Sequence, residues 1–184
     1  GGRGPPRRTM RIETLTAADA PAYRELMLEA YTRAADAFTS TAEERAVEPL
    51  SWWEKRIAGA DGLTQGFGAF ADDRLVGTVA LEYSAKPKTR HSALVLGMYL
   101  RPEARGMRVG RGLMQAAVAA ARSRGVQVLH LTVTEGNEAA IGLYRSVGFS
   151  AWGVEPMALL TPGGFKGRVY MSLPLAMAAP ELGA

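Results

Sequence analysis

The chain has 184 residues, a mass of 19.7 kDa and a hydrophobic content of 47%, enough for one domain of ordinary size with a substantial core. It has no cysteine and only two histidines, His91 and His130, which excludes disulfides, thiolate or multi-histidine metal sites and any covalent intermediate on a protein thiol. The net charge of +4 is unevenly placed: Arg3, Arg7, Arg8 and Arg11 open the chain without an acid, and the remainder balances 18 basic against 18 acidic side chains.

The first nine residues, rich in Gly, Pro and Arg, read as a disordered leader or cloning remnant ahead of Met10. They carry no apolar stretch to serve as a secretory signal. No segment reaches the roughly 18 to 20 apolar residues of a membrane span, so a cytoplasmic address without a membrane partner is expected. "MRIETL" predicts a first strand. Thr16 and Asp19 mark a helix start, and Tyr23, Leu26, Met27, Ala30 and Tyr31 recur at helical spacing toward Phe38. "STAEE" offers a capping box for a second helical region that resumes after Pro49 with "LSWWEKRIAGA", where Trp52 and Trp53 are expected to pack. From Gly66 the period changes, and "GFGAFA", "DDR" and "LVGTVALEYS" predict a hairpin. "HSALVLGMYL" follows as a buried strand, then a helix over 109–124 with Leu113, Met114, Ala117, Val118 and Ala121 on its apolar face. "GVQVLHLTVT" is the next strand and "NEAAIGLYRSV" a helix closed by Gly148. Two strands across a "TPGG" turn end the fold, and residues 175–184 read as a loose tail. The order predicts a mixed α/β fold: a mostly antiparallel sheet of about seven strands, helices on both faces, and a central parallel strand–helix–strand unit.

The turn from Arg105 to Gly112 carries the chemistry. Three glycines and three arginines sit between a strand and a helix, where free N–H groups and the positive end of the helix dipole attract phosphate. Lys86, Lys88, Arg90, Arg101, Arg105, Arg108 and Arg111 face only Glu103 within residues 86–111, and this basic stretch would draw an anionic ligand. A Walker A loop is absent, because no Gly-Lys pair occurs. Gly106, Gly110 and Gly112 give G-x-x-x-G-x-G rather than the dinucleotide G-x-G-x-x-G, which leaves a Rossmann-type nucleotide site as an alternative, with Glu135 as its ribose-binding acid.

"GMYLRPEARGMRVGRGLM" and "GNEAAIGLYRSVGF" together resemble the two acyl-CoA segments of the GCN5-related N-acetyltransferase (GNAT) family, over roughly Phe67 to Leu173 and most strongly from Met98 to Phe149. Arg105 and Gly110 meet the family's R/Q-x-x-G-x-G/A pattern, with Arg108 at its first glycine. The resemblance implies acetyl-CoA as cosubstrate. It implies that the strand bearing Met98, Tyr99 and Leu100 pairs with the pantetheine arm, one N–H polarising the thioester. Arg105, Gly106, Met107, Arg108, Val109, Gly110, Arg111 and Gly112 would cradle the pyrophosphate. Asn137 would contact pantetheine and Tyr144 would protonate the departing thiolate. The resemblance also admits a homodimer, since relatives commonly pair, and the sequence leaves the oligomeric state open. From spacing alone, Asn137, Ala140 or Ile141, and Tyr144 share one helical face, with a helix cap and a core tyrosine as equally simple roles.

For the base, Glu82, His91, Glu43, Glu44 and Glu155 are candidates acting through water, and a neutral amine would need little base. No metal is expected. The acceptor, a small-molecule or peptide amine, should lie between the N-terminal helices and the closing strands. Outside the leader and the basic stretch, 11 basic against 17 acidic residues lean toward a cationic amine. Two other readings stand beside transfer: an acyl-CoA-binding sensor without chemistry, and nucleic-acid binding by the arginine leader.

Overall fold

The computed structural model describes residues 10–106 and 108–175. The leader, Met107 and the tail beyond Leu175 lie outside these residues. Seven strands form one sheet: β1 (Met10–Thr14), β2 (Thr64–Ala71), β3 (Arg74–Tyr83), β4 (Ser92–Leu100), β5 (Val128–Thr134), β6 (Ser150–Thr161) and β7 (Gly164–Pro174). Their order is β1-β2-β3-β4-β5-β7-β6, antiparallel except for β4 against β5. The helices are α1 (Ala20–Arg33), α2 (Ala42–Ala46), α3 (Leu50–Ala58), α4 (Val109–Ser123) and α5 (Glu138–Ser146).

Alternation along the strands sends side chains into two cores. Phe67, Ala69, Val79 and Leu81 join Leu113, Met114, Ala117 and Ala121 of α4, and Ile141 and Tyr144 of α5. On the other face, Phe70, Leu75 and Tyr99 join Tyr23, Leu26, Met27 and Ala30 of α1, and Trp53 and Ile57 of α3. Trp53 packs, as its helical position predicts. At roughly 1.5 to 3 kcal/mol for each large side chain taken from water, these two layers dominate stability. Leu175 continues the fold by one residue past β7: it is buried, and its N–H donates to the Gln127 carbonyl at 2.8 Å.

The helix starts follow their sequence signals. Thr41 and Glu44 cap α2 reciprocally, at 2.8 and 3.1 Å. Thr16 and Asp19 form a second capping box, ahead of a single 3-10 turn that leads into α1. α1 itself stops at Arg33 rather than near Phe38. A 3-10 turn over Ala35–Ala37 replaces its last turn, where the Thr134 hydroxyl donates to the Asp36 carbonyl at 2.6 Å and ties the chain to β5.

The β4–β5 pair positions the site. Only Ser92–Leu94 pairs with Val128–His130, and beyond them the two strands separate. β4 bulges against β3 at Gly97, whose φ of +67° belongs to the left-handed region that glycine occupies without strain. Its open edge from Val95 therefore faces β5 across a gap.

Candidate active site

The gap is a cleft of about 260 Å³ lined by Leu94 to Met98 of β4, Thr132 and Val133 of β5, and Asn137, Ala140 and Tyr144 of α5. α1, α3 and the segment between α1 and α2 close its other side with Met27, Tyr31, Phe38, Thr39, Ser40 and Arg56. Unpaired strand groups in a cleft must find partners in water or in a ligand, and an extended amide-bearing arm supplies them in strand geometry.

Tyr144 is 7% exposed, with its ring 6.1 Å from that of Phe149. Burial pushes its hydroxyl up to about 12, so the phenol stays protonated through the neutral range. Asn137 is the N-cap of α5, its side-chain oxygen accepting from the Ala140 N–H at 3.3 Å, and it also lines the cleft. Met98 reaches the cleft. Tyr99 points to the opposite face, where its hydroxyl donates to Glu29 at 2.9 Å. Leu100 packs under the turn, and its carbonyl accepts from Arg105 at 3.2 Å.

At the turn, Gly106 has φ +77° and open space around it, and Arg108 takes φ +59° as the N-cap of α4. The first main-chain bond of α4 runs from the Gly112 N–H to the Arg108 carbonyl at 3.1 Å. The amides of Val109, Gly110 and Arg111 thus precede the ladder, with no side-chain cap on the helix. The positive end of the α4 dipole there suits phosphate oxygens, with Arg105, Arg108 and Arg111 as neighbouring cations.

The geometry adds a packing role at this turn: a Cβ at Gly110 would meet Leu143 at 3.0 Å and Leu100 at 3.3 Å, so its missing side chain lets α4 pack on α5 and β4 while its amide still precedes the ladder. Gly112 is likewise a packing glycine, with Ile12 of β1 2.5 Å from where a Cβ would stand. The basic stretch is also not one patch. Arg101 is buried, ion-paired with Glu29 and bonded to the Leu75 carbonyl at 3.1 Å. Lys86, Lys88 and Arg90 sit in the β3–β4 loop, at the other end of β4 from Arg105, Arg108 and Arg111 and so about 25 Å away along the strand.

None of the five candidate bases lines the cleft. Glu44 caps α2, and Glu155 is held by Arg168 at 3.4 Å and by the Tyr170 hydroxyl at 3.3 Å. Glu43 lines a second groove, of about 550 Å³, between the α1–α2 segment and the β6–β7 hairpin. That groove shares Tyr31, Phe38, Thr39 and Ser40 with the cleft and opens where the N-terminal helices meet the closing strands. Tyr31, Ser40 and Arg56 had no motif to announce them. They meet the site only through the fold.

Among the described residues, then, a mixed sheet splits at its one parallel pair, with an uncapped helix start beside the split and a buried phenol across it. Residues 22–149 match the model of the acetyltransferase (GNAT) family, and the chain belongs to that family. It is 31% identical to the [ribosomal protein bS18]-alanine N-acetyltransferase of Escherichia coli K12, over 73% of this chain and 88% of that one. A GCN5-related N-acetyltransferase from Kribbella flavida superposes with a TM-score of 0.77 at 26% identity, over 90% of this chain and 98% of that one. Some curated relatives are matched over less than half their length. The mycothiol acetyltransferase of Thermobispora bispora is 48% identical over 56 residues, 30% of this chain and 19% of that protein. The L-methionine sulfoximine/L-methionine sulfone acetyltransferase of Pseudomonas aeruginosa is 35% identical over 42% of this chain and 45% of that one.

Proposed function

We propose that the chain is an N-acetyltransferase that moves the acetyl group of acetyl-CoA directly onto an amine. The observation that carries this reading is the open β4 edge beyond Leu94, which runs from the Tyr144 cleft toward the uncapped first turn of α4. The pantetheine arm pairs with that edge and an N–H there polarises the thioester carbonyl. The pyrophosphate rests on the α4 amides with Arg105, Arg108 and Arg111. The amine nitrogen attacks the carbonyl carbon, the carbon–sulfur bond breaks, and Tyr144 gives its proton to the departing thiolate. With no carboxylate or imidazole among the described residues lining the cleft, the amine enters neutral and its surplus proton leaves to water, which restores Tyr144. No cysteine is available to carry the acyl group, so both substrates are bound together.

The test is a panel of primary amines (amino acids, peptides with free N-termini, polyamines and aminoglycosides), read by thiol release and by acetyl gain of the acceptor. Equal amounts of thiol and acetyl-amine support the proposal. Tight acetyl-CoA binding with no amine turned over would instead favour a sensor. We further propose that two chains pair through the outer strand β6, whose Trp152, Val154, Met157 and Leu160 are exposed. Light scattering should then give twice 19.7 kDa, and a single-chain mass would remove that assignment.

A further inference from the structure

The side of the cleft facing α3 holds an unbalanced positive charge. Arg45 and Arg56 stack on the Trp52 indole, their guanidinium carbons 4.5 and 4.8 Å from its ring centre. Neither has a carboxylate within ion-pair distance among the described residues, and the Nε atoms of both are buried without a hydrogen-bond partner. Arg56 lines the cleft, and Arg45 reaches its rim by donating to the Ser40 hydroxyl at 2.8 Å. Tyr31, Thr39 and Ser40 line the cleft with Arg56, and among the described residues no acid lines it.

Two guanidiniums meet on one indole and no carboxylate among the described residues pairs with either, so a free anion entering the cleft suits them. Guanidinium forks match a planar carboxylate with two parallel bonds. The whole cleft measures about 260 Å³ and must also hold the acetyl end of the donor, so the anion and the reacting amine have to be only a few bonds apart. We infer that the acceptor is a small amine bearing a carboxylate, of the α-amino-acid type, with its carboxylate on Arg56 and Arg45. Its side chain leaves through the adjoining groove lined by Phe38, Leu159 and Leu160. This replaces the lean toward a cationic amine drawn from overall charge, because the charge that matters is local. The inference rests on the transferase reading above.

Acetyl-CoA binding is first measured by calorimetry, which tests the transferase reading alone. Thiol release is then followed with the twenty L-amino acids, and with L-leucine, L-leucinamide and 3-methylbutylamine as a matched series. The expected result is turnover of one or more free amino acids, with kcat/KM at least about 100-fold lower for the amide and the decarboxylated amine. Arg56→Gln should raise the KM for the carboxylate substrate at least 10-fold with kcat and acetyl-CoA affinity little changed, and Arg56→Lys should restore part of the loss. Arg45→Gln should act in the same direction. If acetyl-CoA binds but amides and simple amines react as well as the acids, or no amino acid reacts, or Arg56→Gln leaves KM unchanged, the inference is wrong. A failure of acetyl-CoA to bind would overturn the transferase reading and this inference with it.

Discussion

Replacing Tyr144 by Phe removes one oxygen and leaves the ring. The ring is 7% exposed and packs on Phe149, so the substitution conserves the buried contacts, and among the described residues the lost hydroxyl has no hydrogen-bond partner to orphan. Stability should therefore change by less than about 1 kcal/mol. Catalysis should change far more. Proton donation by a positioned side chain contributes about 10² to 10⁴ in rate, which is about 2.7 to 5.5 kcal/mol of barrier. Because burial raises the hydroxyl to about 12, the parent enzyme keeps its proton donor up to pH 10, and kcat should show no descending limb from this group below that pH. The sign for stability is the same. The folded chain holds the proton longer than the unfolded one, so the linked stabilisation is intact below pH 10 and is lost as the pH rises from 10 toward 12. The assay is thiol release against saturating acetyl-CoA and acceptor, with acetyl-CoA affinity measured in parallel. A kcat within about threefold of the parent, or a loss confined to acetyl-CoA affinity, would refute Tyr144 as the proton donor.

Three further outcomes follow from the turn and the buried pair. Gly110→Val should overpack Leu143 and Leu100 at about 1 to 3 kcal/mol and lower the melting temperature by roughly 2 to 12 °C; an unchanged melting temperature with acetyl-CoA binding lost would put the new side chain in the phosphate path instead. Arg108→Gly should relieve a left-handed residue, gaining about 1 kcal/mol in a denaturant melt, while weakening acetyl-CoA about 10-fold through the lost cation. Unchanged affinity would take Arg108 out of the phosphate cradle. Arg101→Ala leaves Glu29 without its cation beside Tyr99 and should cost about 3 kcal/mol, or roughly 6 to 12 °C, without altering acetyl-CoA affinity. A change of affinity with no change in melting would contradict its structural role.

Local signals in the chain carried much of this fold. The Thr41–Glu44 box, the Asn137 cap, the Gly148 stop with φ +108° and the periodic faces of α1 and α4 are all determined by residues within a turn or two of one another. What was not legible depends on partners far away in sequence. α1 ends at Arg33 because Thr134, 98 residues beyond, holds the Asp36 carbonyl, while the alanine-rich sequence by itself continues the helix. Arg101 reads as a surface cation until the fold brings Glu29, 72 residues earlier, against it. Spacing also cannot show that the missing side chains of Gly110 and Gly112 make room for packing, against Leu143 of α5 and Leu100 of β4 at the first and against Ile12 of β1 at the second. The convergence of Arg45 and Arg56 on Trp52 was hidden for the same reason, since they lie on two helices whose angle only the tertiary packing sets.

The most direct test of the account is calorimetry of acetyl-CoA into the intact protein, with NAD and ATP as controls. Micromolar binding of acetyl-CoA, with neither control competing, is the result expected if the β4 edge takes the pantetheine arm and the α4 amides take its pyrophosphate. No heat with acetyl-CoA, or preference for NAD, would contradict it.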